Sequence, residues 1–381
     1  MDWPFTPAHY IDHDRDFRHL VEVLGYEPLI AIDTESNSLY AYRERVCLIQ
    51  ISTRTADYIV DPLRVANIRL LGPLLAEPRI EKVFHAAEYD LMCLKRDYGF
   101  TVNHLFDTMV AARICGHKAI GLDKLLAQYA GIEKVDKSHQ RDDWGERPLP
   151  EESLLYAQMD THYLPLLRDK LHAELVRLNA LEEAEETFEE YTEVPAAVHP
   201  FDPDGYWRIG IPADLNRRQM AILRELFLLR ESIAEERDCP PFKVFTDRVL
   251  VSVTLAEPSS LVQLKGIYGM TDSQMRRYGR ALVQAVEKGR RSLLPQPPPQ
   301  PSIDALVAER FNVLRSWRKT RAEGRGVESD VIISKDALWA LAYRAPVSVD
   351  DLQGIHGLGP WRIAEYGQEI VELLQPFAPR A

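Results

Sequence analysis

Cysteine is scarce in this chain of 381 residues, and the four present, Cys47, Cys93, Cys115 and Cys239, are scattered without a paired C-x-x-C spacing or a neighbouring His cluster. That pattern excludes a zinc ribbon and a disulfide framework. No apolar run approaches the roughly eighteen residues of a membrane span, and Met1-Asp2-Trp3-Pro4 lacks a basic region leading into an apolar one. The expected location is the cytoplasm, with no membrane partner. Positive charge is also short overall: 46 Lys and Arg stand against 58 Asp and Glu, a formal net charge of -12. The deficit is not uniform. Residues 1–205 carry 21 Lys/Arg against 37 Asp/Glu, residues 206–292 carry 15 against 10, and residues 303–381 carry 10 against 11. A basic middle segment permits local contact with nucleic acid despite the acidic total. The remaining composition, 46% hydrophobic and 27% charged, is that of an ordinary globular protein long enough for two or three domains.

The stretch that organises the first 205 residues is Leu29-Ile30-Ala31-Ile32-Asp33-Thr34-Glu35. Its four apolar residues have the composition of a buried strand, and Ser36-Asn37-Ser38 then breaks the pattern. Side chains two apart in a strand share a face, so Asp33 and Glu35 point the same way. Two like charges held that close raise each other's pKa unless a cation lies between them. Further strands are expected at Arg45–Thr53 and Asp57–Val60, a helix at Leu63–Ala76, a strand at Lys82–His85 and a helix from about Ala87 to Asp97. That order predicts an α/β domain in which a mixed sheet is covered by helices.

Two further acidic positions belong to helices. Asp90 falls in the first turn of the helix after the strand Lys82–His85, where the macrodipole favours a carboxylate and where α/β sites also open. Glu151–Leu178 reads as one long amphipathic helix entered through Pro148-Leu149-Pro150, and within it Tyr156 and Asp160, four apart, share a face. His162 points elsewhere and is incidental. The polar run Asp136–Trp144 has neither helical nor strand period and is a loop. Its Arg141 and Trp144 could line a groove for a phosphodiester and stack a base, or the Trp could staple a surface connection. The acidic run Glu182–Glu193 reads as a solvated helix end rather than a partner-binding face.

Asp33, Glu35, Asp90 and Asp160, with Tyr156 four residues before the last, resemble the DEDD superfamily of 3'-to-5' exonucleases in its Tyr subgroup. The sister subgroup has a His five residues before the last Asp, a position held here by Leu155. The intervening runs Phe84-His85-Ala86-Ala87-Glu88-Tyr89-Asp90, Leu122-Asp123-Lys124-Leu125-Leu126, Asp136-Lys137-Ser138, Asp143-Trp144 and Arg147-Pro148-Leu149 resemble the ribonuclease D family. The resemblance implies a ribonuclease H-like catalytic fold and two divalent metal ions, Mg²⁺ or Mn²⁺. Asp33 would bridge the ions, Glu35 and Asp160 would complete the first, and Asp90 would hold the second, directly or through water. Tyr156 would orient the attacking water. It further implies removal of nucleotides one at a time from RNA 3' ends, chiefly in tRNA precursors and other structured RNA, releasing nucleoside 5'-monophosphates; no obligate protein partner is evident in the sequence. A DNA exonuclease and a non-catalytic nucleic-acid adaptor are the competing readings; the complete set of carboxylates with Tyr156 argues against the second.

The C-terminal half contains an internal repeat at a constant offset of 88 residues. Leu226, Arg230, Leu264, Gly266, Gly269, Tyr278 and Gly279 recur as Leu314, Arg318, Leu352, Gly354, Gly357, Tyr366 and Gly367. Each repeat is expected to be a small all-α bundle, and tandem modules of this kind resemble HRDC domains. The expected layout is an exonuclease domain at 1–205, a first HRDC domain at 206–292, a proline-rich linker at 293–302 and a second HRDC-like domain at 303–381. Arg276, Arg277 and Arg280 form a basic stripe in the first repeat, where the second has Ala364, Glu365 and Gln368. The first module is thus expected to touch RNA and the second to pack or position. Charge reversal at Arg276 and Arg277 should therefore lower affinity for a tRNA precursor and flatten its salt dependence in a filter-binding titration, and unchanged binding would remove the stripe from the interface.

Overall fold

The computed structural model describes residues 6–133, 136–197, 200–210, 215–299 and 302–377. The chain divides into two compact units. The larger, residues 1–35, 46–197 and 302–381, is built on a six-stranded sheet. Its strands are β1 (His9–Ile11), β2 (Leu29–Ser36), β3 (Val46–Ser52), β4 (Asp57–Val60), β5 (Glu81–Phe84) and β6 (Leu105–Asp107). The spatial order is β1-β4-β3-β2-β5-β6, with β3 antiparallel to β4 and with the β1–β4, β2–β5 and β5–β6 pairs parallel. The sheet is therefore mixed, as expected. β2 lies between β3 and β5, and Leu29–Ile32 are buried on both faces, which is why that run is apolar without alternation.

The helices of the first 197 residues are α1 (Asp14–Leu24), α2 (Leu71–Ala76), α3 (Glu88–Tyr98), α4 (Thr108–Ile114), α5 (Leu122–Ala130), α6 (Glu151–His162), α7 (Leu164–Arg177) and α8 (Leu181–Thr192). Two expectations are corrected here. The segment Leu63–Ala76 is helical only from Ile68, because the Asp61 side chain accepts from Leu63 N at 3.0 Å and turns the chain first. The long helix at Glu151–Leu178 is two helices meeting at Tyr163. Pro165, in the first turn of α7, has no N–H to continue the α6 ladder.

The smaller unit, residues 36–45 and 198–301, contains the first repeat: α9 (Arg217–Glu236), α10 (Pro241–Val244), α11 (Asp247–Ala256), α12 (Leu261–Leu264) and α13 (Asp272–Arg291). Residues 293–299 of the linker carry no helix or strand, and residues 300 and 301 lie outside the described residues. The second repeat comprises α14 (Ala305–Arg325), α15 (Ser329–Ile332), α16 (Lys335–Arg344) and α17 (Pro360–Leu374). The offset of 88 is visible in individual bonds. Arg230 donates to the Phe245 carbonyl at 3.2 Å and Arg318 to the Ile333 carbonyl at 3.0 Å, while Arg237 donates to the Tyr278 hydroxyl and Arg325 to Tyr366. The glycine pairs of the turns, Gly266/Gly354 and Gly269/Gly357, all take φ between +72° and +91°, which a side chain would strain.

The second repeat belongs to the same unit as the sheet, and helix α8 is what it grips. Here the expectation of a solvated acidic helix end holds for Glu182, Glu185, Glu189 and Glu193, which are exposed, and fails for the face between them. Glu183, Glu186 and Glu190 recur at helical spacing on one face: Glu183 pairs with Arg325 at 2.6 Å, Glu186 with Arg362 at 2.8 Å, and Glu190 with His356 at 3.2 Å. Glu183 is fully buried. Glu186 also accepts from Trp361 N at 2.6 Å, so its charge sits on the N-terminus of α17. Gly359 makes room for it, since a Cβ there would lie 2.3 Å from the Glu186 carboxyl.

Arg362→Ala leaves Glu186 largely buried without its counter-charge, at a cost of about 3 kcal/mol. The expected outcome is a clearly lower urea midpoint, with Glu186→Gln milder because it keeps a hydrogen-bonding acceptor. Equal midpoints for Arg362→Ala and the unsubstituted protein would show that the pair does not hold this contact.

Candidate active site

The strand β2 continues through both of its carboxylates to Ser36, so Asp33 and Glu35 leave the central strand on one face. Helix α6 packs across β3 and β4 and brings Asp160 to them. Its attachment is polar as well as apolar: Gln158 donates to Asp57 at 2.7 Å, and Thr161 and Ser52 share a 2.7 Å hydrogen bond. As a result carboxylate oxygens of Asp33, Glu35 and Asp160 lie within 4.8 Å of one another. Tyr156, one turn earlier on α6, is buried beside them. Asp90, on the first turn of α3, lines the same cleft of about 530 Å³ but stands outside the group of three. Its Oδ1 accepts from Thr34 N at 3.1 Å and from Thr34 Oγ1 at 2.5 Å. The residue between the two strand carboxylates thus ties the fourth one down.

Thr34 was not singled out from the sequence, and neither was Asp107. The buried Asp107 carboxylate accepts from Ala86 N at 3.2 Å and Ala87 N at 2.6 Å, and caps α4 through Met109 N and Val110 N. It thereby fixes the turn from β5 into α3 and the position of Asp90. The available signal was Asp-Thr before an apolar helical run, an N-cap pattern.

Electrostatics follow from crowding. Burial, then the charges of Asp90, Asp160 and Glu35, hold Asp33 well above the usual carboxylate range; burial, then Asp160 and Asp90, do the same to Glu35. Burial pushes Asp90 up to about 7 against the pull of its Thr34 hydrogen bonds. Asp160 also rises to about 7, burial outweighing the nearby Tyr156 hydroxyl that favours its ionised form. Burial and the carboxylates of Asp160, Glu35 and Asp33 raise the Tyr156 hydroxyl, which stays protonated at neutral pH. Lys137, on the rim, is paired with Asp123 at 2.9 Å. An all-oxygen donor group whose members resist ionising together fits a hard divalent cation.

The other expected contacts separate. Arg141 lines the cleft. Trp144 does not stack a base: its ring is 1% exposed and lies 6.2 Å from that of Tyr156, so it backs the tyrosine from inside. The reason is its neighbour Arg147, which binds Asp61 at 2.5 and 3.0 Å and the Cys47 and Trp144 carbonyls at 2.8 Å, pulling the loop onto the sheet. His162 pairs with Asp57 at 2.7 Å and is not among the residues lining the cleft. Arg276, Arg277 and Arg280 lie exposed on α13 in the smaller unit.

A family model described as 3'-5' exonuclease matches residues 8–176, and one for the HRDC domain matches residues 219–286 and 307–374. Ribonuclease D of Gluconacetobacter diazotrophicus is 29% identical over 371 residues, covering 94% of this chain and 90% of that one. The crystal structure of Escherichia coli RNase D, an exoribonuclease involved in structured RNA processing, superposes with a TM-score of 0.70 at 27% identity, covering 98% of this chain and 100% of that one. The catalytic core of RRP6 from Trypanosoma brucei is 31% identical with a TM-score of 0.69, covering 76% and 81%. Two longer eukaryotic relatives are matched over only 30% and 31% of their length.

The raised carboxyls have a stability consequence of definite sign. Asp160 ionises near 4 when unfolded and at about 7 when folded. Between those values the folded state binds more protons, so stability falls as pH rises and the loss is complete above pH 7. Without metal, Asp160→Asn should therefore be more stable than the parent at pH 8, by on the order of 2 kcal/mol. The gap should close toward pH 4, and added Mg²⁺ or Mn²⁺ should narrow it by stabilising the parent alone. Thermal melts in chelator and in metal across that range check this; a gap independent of pH would contradict it.

Proposed function

The chain belongs to the ribonuclease D and RRP6 family of 3'-5' exonucleases that carry HRDC domains, and from that premise we propose that it hydrolyses RNA from the 3' end, one nucleotide at a time, releasing nucleoside 5'-monophosphates. The observation that carries the proposal is the approach of Asp33, Glu35 and Asp160 within 4.8 Å in a cleft that also presents Asp90 and Tyr156. Asp33, Glu35 and Asp160 would hold one divalent ion and Asp33 with Asp90 a second, Mg²⁺ or Mn²⁺. Such a pair supplies a strong nucleophile at neutral pH and charge compensation for the departing 3' oxygen.

The chain's own groups then have distinct tasks. Tyr156 keeps its proton, so it orients the attacking water by hydrogen bonding and does not act as a base. Trp144 holds the tyrosine ring from behind. Arg141 on the rim of the cleft contacts the RNA backbone, and Arg276, Arg277 and Arg280 on α13 bind RNA phosphates. Precursor tRNA is the proposed main substrate, since the near-full-length relatives are ribonuclease D proteins.

The test is incubation with a 3'-labelled tRNA precursor and a matched single-stranded DNA, with and without Mg²⁺ or Mn²⁺. Mononucleotides should appear from the RNA and only with metal. Asp33→Ala and Asp160→Ala should each slow release by about a thousandfold or more, equivalent to about 4 kcal/mol, and Tyr156→Phe by about ten- to a hundredfold. Full activity of Asp33→Ala with metal present would end the two-ion account, and release from DNA alone would reassign the substrate.

A further inference from the structure

His85 is a polar side chain in the cleft that the hydrolytic reading leaves without a task. It follows β5 directly and lines the same cleft as Asp33, Glu35, Asp90 and Asp160. The turn that presents it is tightly held. Ala86 takes φ +63°, unfavourable for a residue with a Cβ, and Asp107 accepts the N–H groups of Ala86 and Ala87.

The position of its proton can be deduced. Nδ1 lies 2.9 Å from Thr108 Oγ1, and that hydroxyl lies 3.0 Å from the Phe84 carbonyl oxygen. A carbonyl oxygen only accepts, so the single proton of Thr108 is directed to Phe84 and the hydroxyl can only accept from the ring. Nδ1 therefore carries the proton. In the neutral imidazole Nε2 is then a bare acceptor, and among the described residues it makes no hydrogen bond. Burial pushes the pKa of His85 down, which keeps the ring neutral at pH 7.

A neutral acceptor has a narrow choice of partners. A phosphodiester offers only acceptors, so His85 does not bind the backbone charge. The group it can take is a donor, an N–H of a base or an O–H, and the donors that every terminal nucleotide carries beside the scissile phosphate are the hydroxyls of its ribose. Its 2'-hydroxyl is the donor that DNA lacks. We infer that Nε2 of His85, held as an acceptor by Thr108, receives the 2'-hydroxyl proton of the 3'-terminal nucleotide and so gives the cleft its preference for RNA. This assignment rests on the exoribonuclease reading above.

Single-turnover trimming of four oligonucleotides with identical ribonucleotide bodies tests it, their last residues carrying ribose, 2'-deoxyribose, 2'-O-methylribose or 3'-deoxyribose. The unsubstituted protein should prefer the ribose terminus about tenfold or more over both 2'-deoxy and 2'-O-methyl, because each of these lacks the donor. His85→Ala should compress the ribose to 2'-deoxy ratio to near unity. Thr108→Val, which frees the ring to adopt the other tautomer, should give an intermediate ratio without touching substrate. Matching thermal melts establish that both variants are folded. Retention of the full ratio in His85→Ala overturns the assignment, as does compression of the 3'-deoxy ratio alone, which would move the contact to the other hydroxyl. No release from any terminus by the unsubstituted protein would instead refute the exonuclease reading itself.

Discussion

The larger unit depends on an unfavourable interaction: carboxylates of Asp33, Glu35 and Asp160 brought within 4.8 Å, with Asp90 close enough to raise the pKa of Asp33. Left alone, those groups would move apart or take up protons. The surrounding structure prevents the first. β2 is clamped between two strands, and α6 is attached to the sheet through Gln158–Asp57 and Thr161–Ser52. Thr34 restrains Asp90 with two hydrogen bonds. Only protonation or a cation then remains to relieve the repulsion.

Carboxylates serve a different purpose on α8. Glu183, Glu186 and Glu190 are matched one by one with Arg325, Arg362 and His356, so burial there is compensated and the charges hold two elements together. The contrast lies in the partners. In the cleft the charges that act on Asp33 and Glu35 are those of other acids, whereas on α8 Glu183 and Glu186 each have a guanidinium within 2.8 Å and Glu190 has an imidazole at 3.2 Å. A run of glutamates is thus not informative until its counter-charges are known.

This explains how much was legible in the sequence. The strand carrying Asp33 and Glu35, the helical spacing of Tyr156 and Asp160, and the repeat at 88 residues are local or periodic signals, and they survive in the fold. The choice between the two readings of Trp144 and the paired face of the acidic run were out of reach because what decides them is distant in sequence. Arg147 reaches Asp61 across 86 positions, and Arg362 reaches Glu186 across 176. Short-range pattern gave no access to Thr34, whose partner Asp90 lies on another element, whereas Asp107 left an N-cap pattern that showed its bonds to α4 but not those to Ala86 and Ala87. The break between α6 and α7 was legible at Pro165 and was overridden by the apolar periodicity around it.

The two repeats nevertheless carried a readable difference. In the first, Thr271 and Gln274 cap α13 reciprocally, each side chain satisfying the other residue's N–H. At the offset of 88 those positions become Gly359 and Arg362. A helix start with Gly at the cap has no side-chain acceptor of its own, and an Arg three residues later cannot supply one, since guanidinium only donates. Such an end takes its acceptor from elsewhere, and here that acceptor is Glu186 of α8. The loss of a capping box at one repeat but not the other therefore marks which module is self-sufficient and which is completed by an acidic helix. The same backbone supports both because the cap, not the core, has changed: Leu264 and Leu352 are fully buried in either module.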